Sequence, residues 1–139
     1  MATVQVESVG DGYITHITSE RHSVIADEPP PPGDDLGPSP YELLLAALGA
    51  CTSMTLLMYA RRKGWPLDRV RIDLSHERVH AEDCEQCEQS EGRVEVIHRS
   101  IRLEGDLDAE QRERLAYIAT RCPVHKTLLE SPTIIDDVS

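Results

Sequence analysis

Phenylalanine is missing from this chain, and Trp65 with four tyrosines supplies all of its aromatic side chains. A core without that bulk has to be built from Leu, Ile, Val, Ala and Met, which can still pack densely. Positive charge is also scarce: 14 lysines and arginines stand against 25 acidic residues, a formal charge of -11. A surface of that sign repels a phosphate backbone or an anionic membrane surface, so neither nucleic acid nor a membrane is expected as a partner. Four cysteines are too few for a disulfide scaffold at this size, and no cationic segment leads into an apolar one at the start. These absences point to a cytoplasmic protein. The length suits one domain over residues 1–139, long enough to bury a core, and no internal repeat divides it.

What the chain does have is a long uncharged run, Leu43 to Ala60, followed by Arg61, Arg62 and Lys63. The run approaches the length of a membrane span. Gly49, Cys51, Thr52, Ser53 and Thr55 interrupt it, however, and strand-like segments flank it, so a buried soluble helix is the better reading. Its start is well marked. Residues 28–40 carry five prolines before Pro40 and can form only an extended surface loop. Ser39 then offers an N-cap, Pro40 a first helical residue and Glu42 the return bond of a capping box. Basic residues to Lys63, then Gly64 and Pro66, mark the end. The predicted helix spans residues 40–63 and is apolar on nearly every face. Protein must surround it, and so short a chain has little to spare, so a second subunit is expected to cover part of it.

Alternation at Val4 and Val6, at Tyr13, Thr15 and Ile17, and at Val24 and Ala26 predicts a three-stranded antiparallel meander. After the helix, Val70, Ile72 and Leu74 run on to His80, and Val94, Ile101 and Leu103 return, a long hairpin with a polar tip over residues 81–92. Asp108 and Gln111 form a second capping box opening a helix over 109–121, with Leu115, Ile118 and Ala119 inward. Pro123 forces a break at Cys122 and a short helix to about Glu130. Thr133 to Val138 reads as a closing strand. The fold class is α+β, in the order βββ-α-ββ-αα-β.

Two cysteines stand in chemically suggestive places. Cys122 precedes Pro123 as a natural N-cap, where free amides and the positive end of a helix lower a thiol pKa, with Arg121, His125 and Lys126 close in sequence. The plain alternative is a small polar cap. Cys51 lies in the apolar helix, where a cysteine is ordinarily core filler. The small residues around it, Gly49, Ala50, Thr52 and Ser53, would let another helix or a substrate approach closely.

A second constellation is His76, His80, Cys84 and Cys87. The two histidines share a strand face and the CxxC has the bite of a zinc knuckle, so a four-ligand zinc site is conceivable. Glu82, Asp83, Glu85 and Glu88 crowd the thiols, raising their pKa and disfavouring thiolate redox chemistry. A solvated tip with incidental or disulfide-bonded cysteines and an accessory redox pair are the other two readings.

Residues 39–52, Ser-Pro-Tyr-Glu-Leu-Leu-Leu-Ala-Ala-Leu-Gly-Ala-Cys-Thr, together with Arg121-Cys122-Pro123-Val124-His125, closely resemble the OsmC/Ohr family of thiol-dependent peroxidases. The likeness also takes in Asp27-Glu28-Pro29 and Gly37-Pro38 and spans nearly the whole chain. It implies an intertwined homodimer with sheets wrapped around two central helices and an active site at the subunit interface. It also implies that Cys51 attacks an organic hydroperoxide to give a sulfenic acid, that Cys122 condenses with it to a disulfide, and that an external dithiol reduces the product, with no cofactor required. Peroxidase members of the family carry a Glu directly after the helix-opening proline and an Arg near the first strand turn. Here Tyr41 follows the proline and the Gly10-Asp11-Gly12 turn has no Arg, which suggests a divergent branch. Glu42 and Arg21 are the nearest substitutes; their ordinary roles would be the capping box and an exposed turn. The competing functional reading is a non-enzymatic protein of this fold, with a structural or small-ligand role and a metal-binding hairpin tip.

Overall fold

The N-terminal alternation becomes three short strands, β1 (Gln5–Ser8), β2 (Thr15–Thr18) and β3 (Ser23–Ala26), paired antiparallel in that order. Gly10, at φ 97°, turns the chain between the first two, and a Ser19 to His22 backbone bond closes the second turn. The structure is a computed structural model covering all residues from Met1 to Ser139, and it falls into two compact units, residues 1–46 and 47–139.

Within the first unit the proline-rich loop is tied down by one carboxylate. Asp27 is 2 % exposed and accepts the backbone N–H groups of Glu28, Asp34 and Leu36 at 2.8, 3.2 and 3.2 Å. Burial pushes its pKa up, but the three amides outweigh that and hold it below the ordinary aspartate value. The Asp27 N–H in turn reaches the Pro38 carbonyl, bringing the loop's two ends together just ahead of the helix start.

Helix α1 (Pro40–Lys63) begins and ends where the sequence predicts. The Ser39 Oγ accepts from the Glu42 N–H, and a Glu42 carboxylate oxygen accepts from the Ser39 N–H, both at 3.3 Å. At the other end Gly64 takes φ 70°, its N–H bonds to the Arg61 carbonyl, and the Trp65 N–H bonds to the Ala60 carbonyl. That double bond is the Schellman closure.

By length and apolar composition α1 could cross a membrane. Leu48, Thr52, Leu56, Tyr59 and Ala60 nevertheless form a stripe buried against protein. Enclosure of the helix on every side, as predicted, is not achieved within one chain. Met54 and Met58 are 62 % and 69 % exposed, because the remaining elements of the chain are enough to cover only one stripe.

Two strands of twelve residues follow, β4 (Arg69–His80) and β5 (Arg93–Glu104), in unbroken antiparallel register from Arg69 opposite Glu104 to His80 opposite Arg93. One 3-10 turn (Ala81–Asp83) opens the tip. Helix α2 (Ala109–Ala119) starts on the predicted box, with Asp108 Oδ1 accepting the Gln111 N–H at 2.7 Å and Gln111 Oε1 accepting the Asp108 N–H at 3.0 Å. Leu115, Ile118 and Ala119 face inward, joining Leu56, Tyr59, Ala60 and Leu107 in the core, with Ile101 and Leu103 of β5 packed against it. Burying a leucine as fully as Leu56 or Leu115 stabilises the fold by about 1.5–3 kcal/mol.

Helix α3 (Pro123–Glu130) ends at Ser131, in left-handed conformation with φ 50°. The closing strand predicted over 133–138 does not form. Ile134, Ile135 and Val138 are 81, 90 and 90 % exposed: β-propensity produces a strand only where an edge is available to pair with, and this segment meets none in its own chain.

Candidate functional site

Cys51 and Cys122 come together. The turn after α2, held by Thr120 and Arg121 N–H bonds to the Tyr117 and Ile118 carbonyls, delivers Cys122 to the N-cap of α3, where its own carbonyl accepts the Lys126 N–H at 3.1 Å. Both thiols are free, and each shifts the other's proton affinity. Cys122 is completely buried, whereas Cys51 remains partly open. The small-residue patch beside Cys51 is used by a strand, not by another helix: a Cβ on Gly49 would lie 2.9 Å from Leu74 Cδ1 of β4.

The two thiols differ in acidity. Burial pushes the Cys122 thiol up, but the Cys51 thiol, the His125 amide, the Thr52 hydroxyl and the Val124 amide together bring it below its ordinary value. No conventional capping hydrogen bond is closed by this sulfur; the amides act on it at longer range. Cys51 is pushed up, by burial first and then by the Cys122 sulfur, with partial relief from the Val124 amide and the Thr55 hydroxyl. Of the two, Cys122 is therefore the more acidic thiol.

The positive charge beside this pair differs from the one expected. Arg121 and Lys126 are exposed, and His125 is held below its ordinary pKa by burial and by Arg99, so it is neutral near pH 7. The cation is Arg99 of β5. Its Nη1 donates to Thr52 Oγ1 at 2.8 Å and to the Ala119 carbonyl at 3.3 Å, and the Cys122 charge acts on it directly. Sequence reasoning passed over this residue. A signal was present, since Arg99 occupies an inward position of an alternating strand between Ile97 and Ile101, where an arginine needs a reason.

Glu42 makes the capping bonds described above, and Arg21 is exposed in the turn between β2 and β3. Both lie in the 1–46 unit, whereas the thiol pair belongs to the other.

Of the three readings of the hairpin tip, the structure contains the disulfide and no gathered metal site at His76, His80, Cys84 and Cys87. Cys84 and Cys87 form a disulfide with Cα atoms 5.5 Å apart, so neither is a thiolate ligand, and no three His, Cys, Asp or Glu residues converge to hold a metal. His76 is bonded to Glu95, which also takes Arg78, and that pairing holds the Glu95 carboxyl below its usual range. The cross-strand carboxylate thus claims the histidine that sequence spacing offered to a metal.

The chain belongs to the family of OsmC-like proteins, whose model matches residues 33–136. Its fold is that of several solved structures. An OsmC-like protein from Mycoplasma pneumoniae is 17 % identical with a TM-score of 0.72, covering 94 % of this chain and 89 % of that one. A Psychrobacter arcticus protein named for an osmotic-stress-induced detoxification response is 21 % identical with a TM-score of 0.72, covering 91 and 88 %. The organic hydroperoxide resistance protein OhrB of Bacillus subtilis is 21 % identical with a TM-score of 0.62, covering 94 and 92 %. Among curated proteins none matches.

Proposed function

We propose that this chain is a thiol-dependent peroxidase that reduces organic hydroperoxides, working in the cytoplasm as a homodimer with no cofactor. The observation carrying this reading is the pair of free thiols that act on each other's proton affinity, one partly open on α1 and the other buried at the start of α3. Kinship with organic hydroperoxide resistance proteins supports the substrate class. The exposed Met54 and Met58 on an apolar helix support a second copy.

In this reading Cys51 passes its thiol proton to the Cys122 thiolate and attacks the terminal oxygen of the hydroperoxide. An S–O bond forms, the O–O bond breaks, and the alkoxide leaves as alcohol with the proton returned by Cys122. The Cys122 thiolate then attacks the Cys51 sulfenic acid, forming the disulfide as hydroxide leaves and takes a solvent proton to become water. The pair loses two electrons and the hydroperoxide gains two. An external dithiol restores the thiols by exchange. Glu42 and Arg21, the nearest substitutes for the family's Glu and Arg, keep their capping-box and turn roles.

The test is consumption of tert-butyl hydroperoxide with a dithiol as reductant, comparing the native protein with Cys51→Ser. A loss of at least about 100-fold is expected; equal rates would establish the non-enzymatic alternative instead.

A further inference from the structure

In a chain of formal charge -11, three cations converge on one tyrosine near the end of α1. The Arg62 and Arg114 guanidiniums and the Lys63 ammonium lie 5.3, 5.7 and 5.8 Å from the centre of the Tyr59 ring. None of the three forms an ion pair with an Asp or Glu. Attraction to the ring offsets part of their mutual repulsion, and no carboxylate of the protein supplies the rest. The Tyr59 ring belongs to the core, 9 % exposed, and its hydroxyl oxygen accepts from Arg114 Nε at 2.9 Å. The hydroxyl's own proton has no acceptor in the protein, and neither terminal nitrogen of Arg114 has a hydrogen-bond partner.

These groups border an open cavity of about 590 Å³ between the end of α1 and α2. Trp65 and Tyr117 give it aromatic walls beside Tyr59, and Lys63 and Arg114 give it positive charge. Trp65 meets Tyr59 edge to face at 5.6 Å, and the Arg114 guanidinium also lies 5.0 Å from the centre of the Tyr117 ring. Aromatic surface with a few convergent polar groups is what holds and orients a small molecule. Asp108, Glu110 and Glu113 line the cavity as well, so a dianion or a polyanion meets repulsion there that a single charge meets far less. We propose that this cavity is a binding site for a small planar monocarboxylic acid, its carboxylate accepting from the Tyr59 hydroxyl and the Arg114 terminal nitrogens and its ring resting against Trp65 and Tyr117. The Lys63 ammonium adds charge at the same end, and a carboxylate suits the paired donors of a guanidinium. The site uses neither free thiol, so it stands or falls independently of the peroxidase reading.

Trp65 is the only tryptophan of the chain, so its fluorescence reports from this cavity. Benzoate titrated into the native protein at constant ionic strength should change that fluorescence saturably. Benzamide, of the same shape without the charge, should bind at least about tenfold more weakly. Tyr59→Phe keeps the ring and removes the hydroxyl, and Arg114→Gln removes the guanidinium charge; each should weaken benzoate at least about tenfold and leave benzamide unchanged. No saturable response to millimolar benzoate overturns the proposal, as do equal affinities for benzoate and benzamide or an unchanged benzoate affinity in either folded variant. If circular dichroism shows Tyr59→Phe to be unfolded, Arg114→Gln, at an exposed position, decides alone.

Discussion

Cys51 and Cys122 each shift the other's proton affinity although 71 positions separate them in sequence. One is presented by a helix whose apolar stripe packs into the core, the other by a helix start that a proline enforces.

Removing Cys122 should strand the reaction at its intermediate. In Cys122→Ser treated with an organic hydroperoxide, Cys51 is expected to hold a sulfenic acid that a cyclic dione traps and mass spectrometry detects, whereas the native protein loses two hydrogens as a disulfide. A native protein that accumulates the dione adduct instead would show that Cys122 does not resolve.

The pH dependence of Cys51 follows from its neighbours. Burial and the adjacent Cys122 charge both raise its pKa, so its alkylation should be slow at pH 7 and accelerate only above the ordinary thiol range. Cys122→Ser deletes the second cause and leaves the first, so the midpoint of alkylation rate against pH should move down. Movement upward would mean that Cys122 does not raise the Cys51 pKa.

The packing around the site has its own signature. Leu115→Ala, at a side chain with no exposure, should cost about 2–5 kcal/mol in denaturant unfolding. At Gly49, alanine gains helix propensity and needs only a small yield from the flexible Leu74 tip, so it should be close to neutral. Isoleucine there should cost about 1–3 kcal/mol.

Asp27→Asn should loosen the proline-rich loop, because an amide group replaces one of the two carboxylate oxygens that the Glu28, Asp34 and Leu36 amides require. Limited proteolysis within residues 28–38 should speed up. The folded aspartate has a depressed pKa, so its contribution is present above the unfolded pKa and lost as the pH falls through the lower folded one. The native loop should therefore become sensitive to protease in acid, and the variant should not change over the same range.

Much of this architecture is legible locally. Ser39, Pro40 and Glu42 start α1, Gly64 stops it, and Asp108 with Gln111 opens α2; each works through hydrogen bonds and dihedral preferences spanning a few residues, so the amino-acid order suffices to locate them. The alternation of β4 and β5 likewise marked a long hairpin, although not its register. Cys122 could be recognised as the more ionisable thiol because Pro123 makes it an N-cap. Other features depended on partners that no local rule specifies. The strand expected at 133–138 found no edge, the choice among the readings of the tip fell to a disulfide and to the His76–Glu95 pair, and the cation beside Cys122 came from β5.

By itself, then, the sequence determined where the helices start, the long hairpin, the family and the two cysteines worth following. Only the tertiary structure decided that Arg99 meets Thr52, that Cys122 lies fully buried while Cys51 stays partly open, and which stripe of α1 is covered. Caps and alternation are energies of neighbours along the chain. Charge placement is an energy of neighbours in space, which exist only once β5, α1 and the start of α3 have packed together.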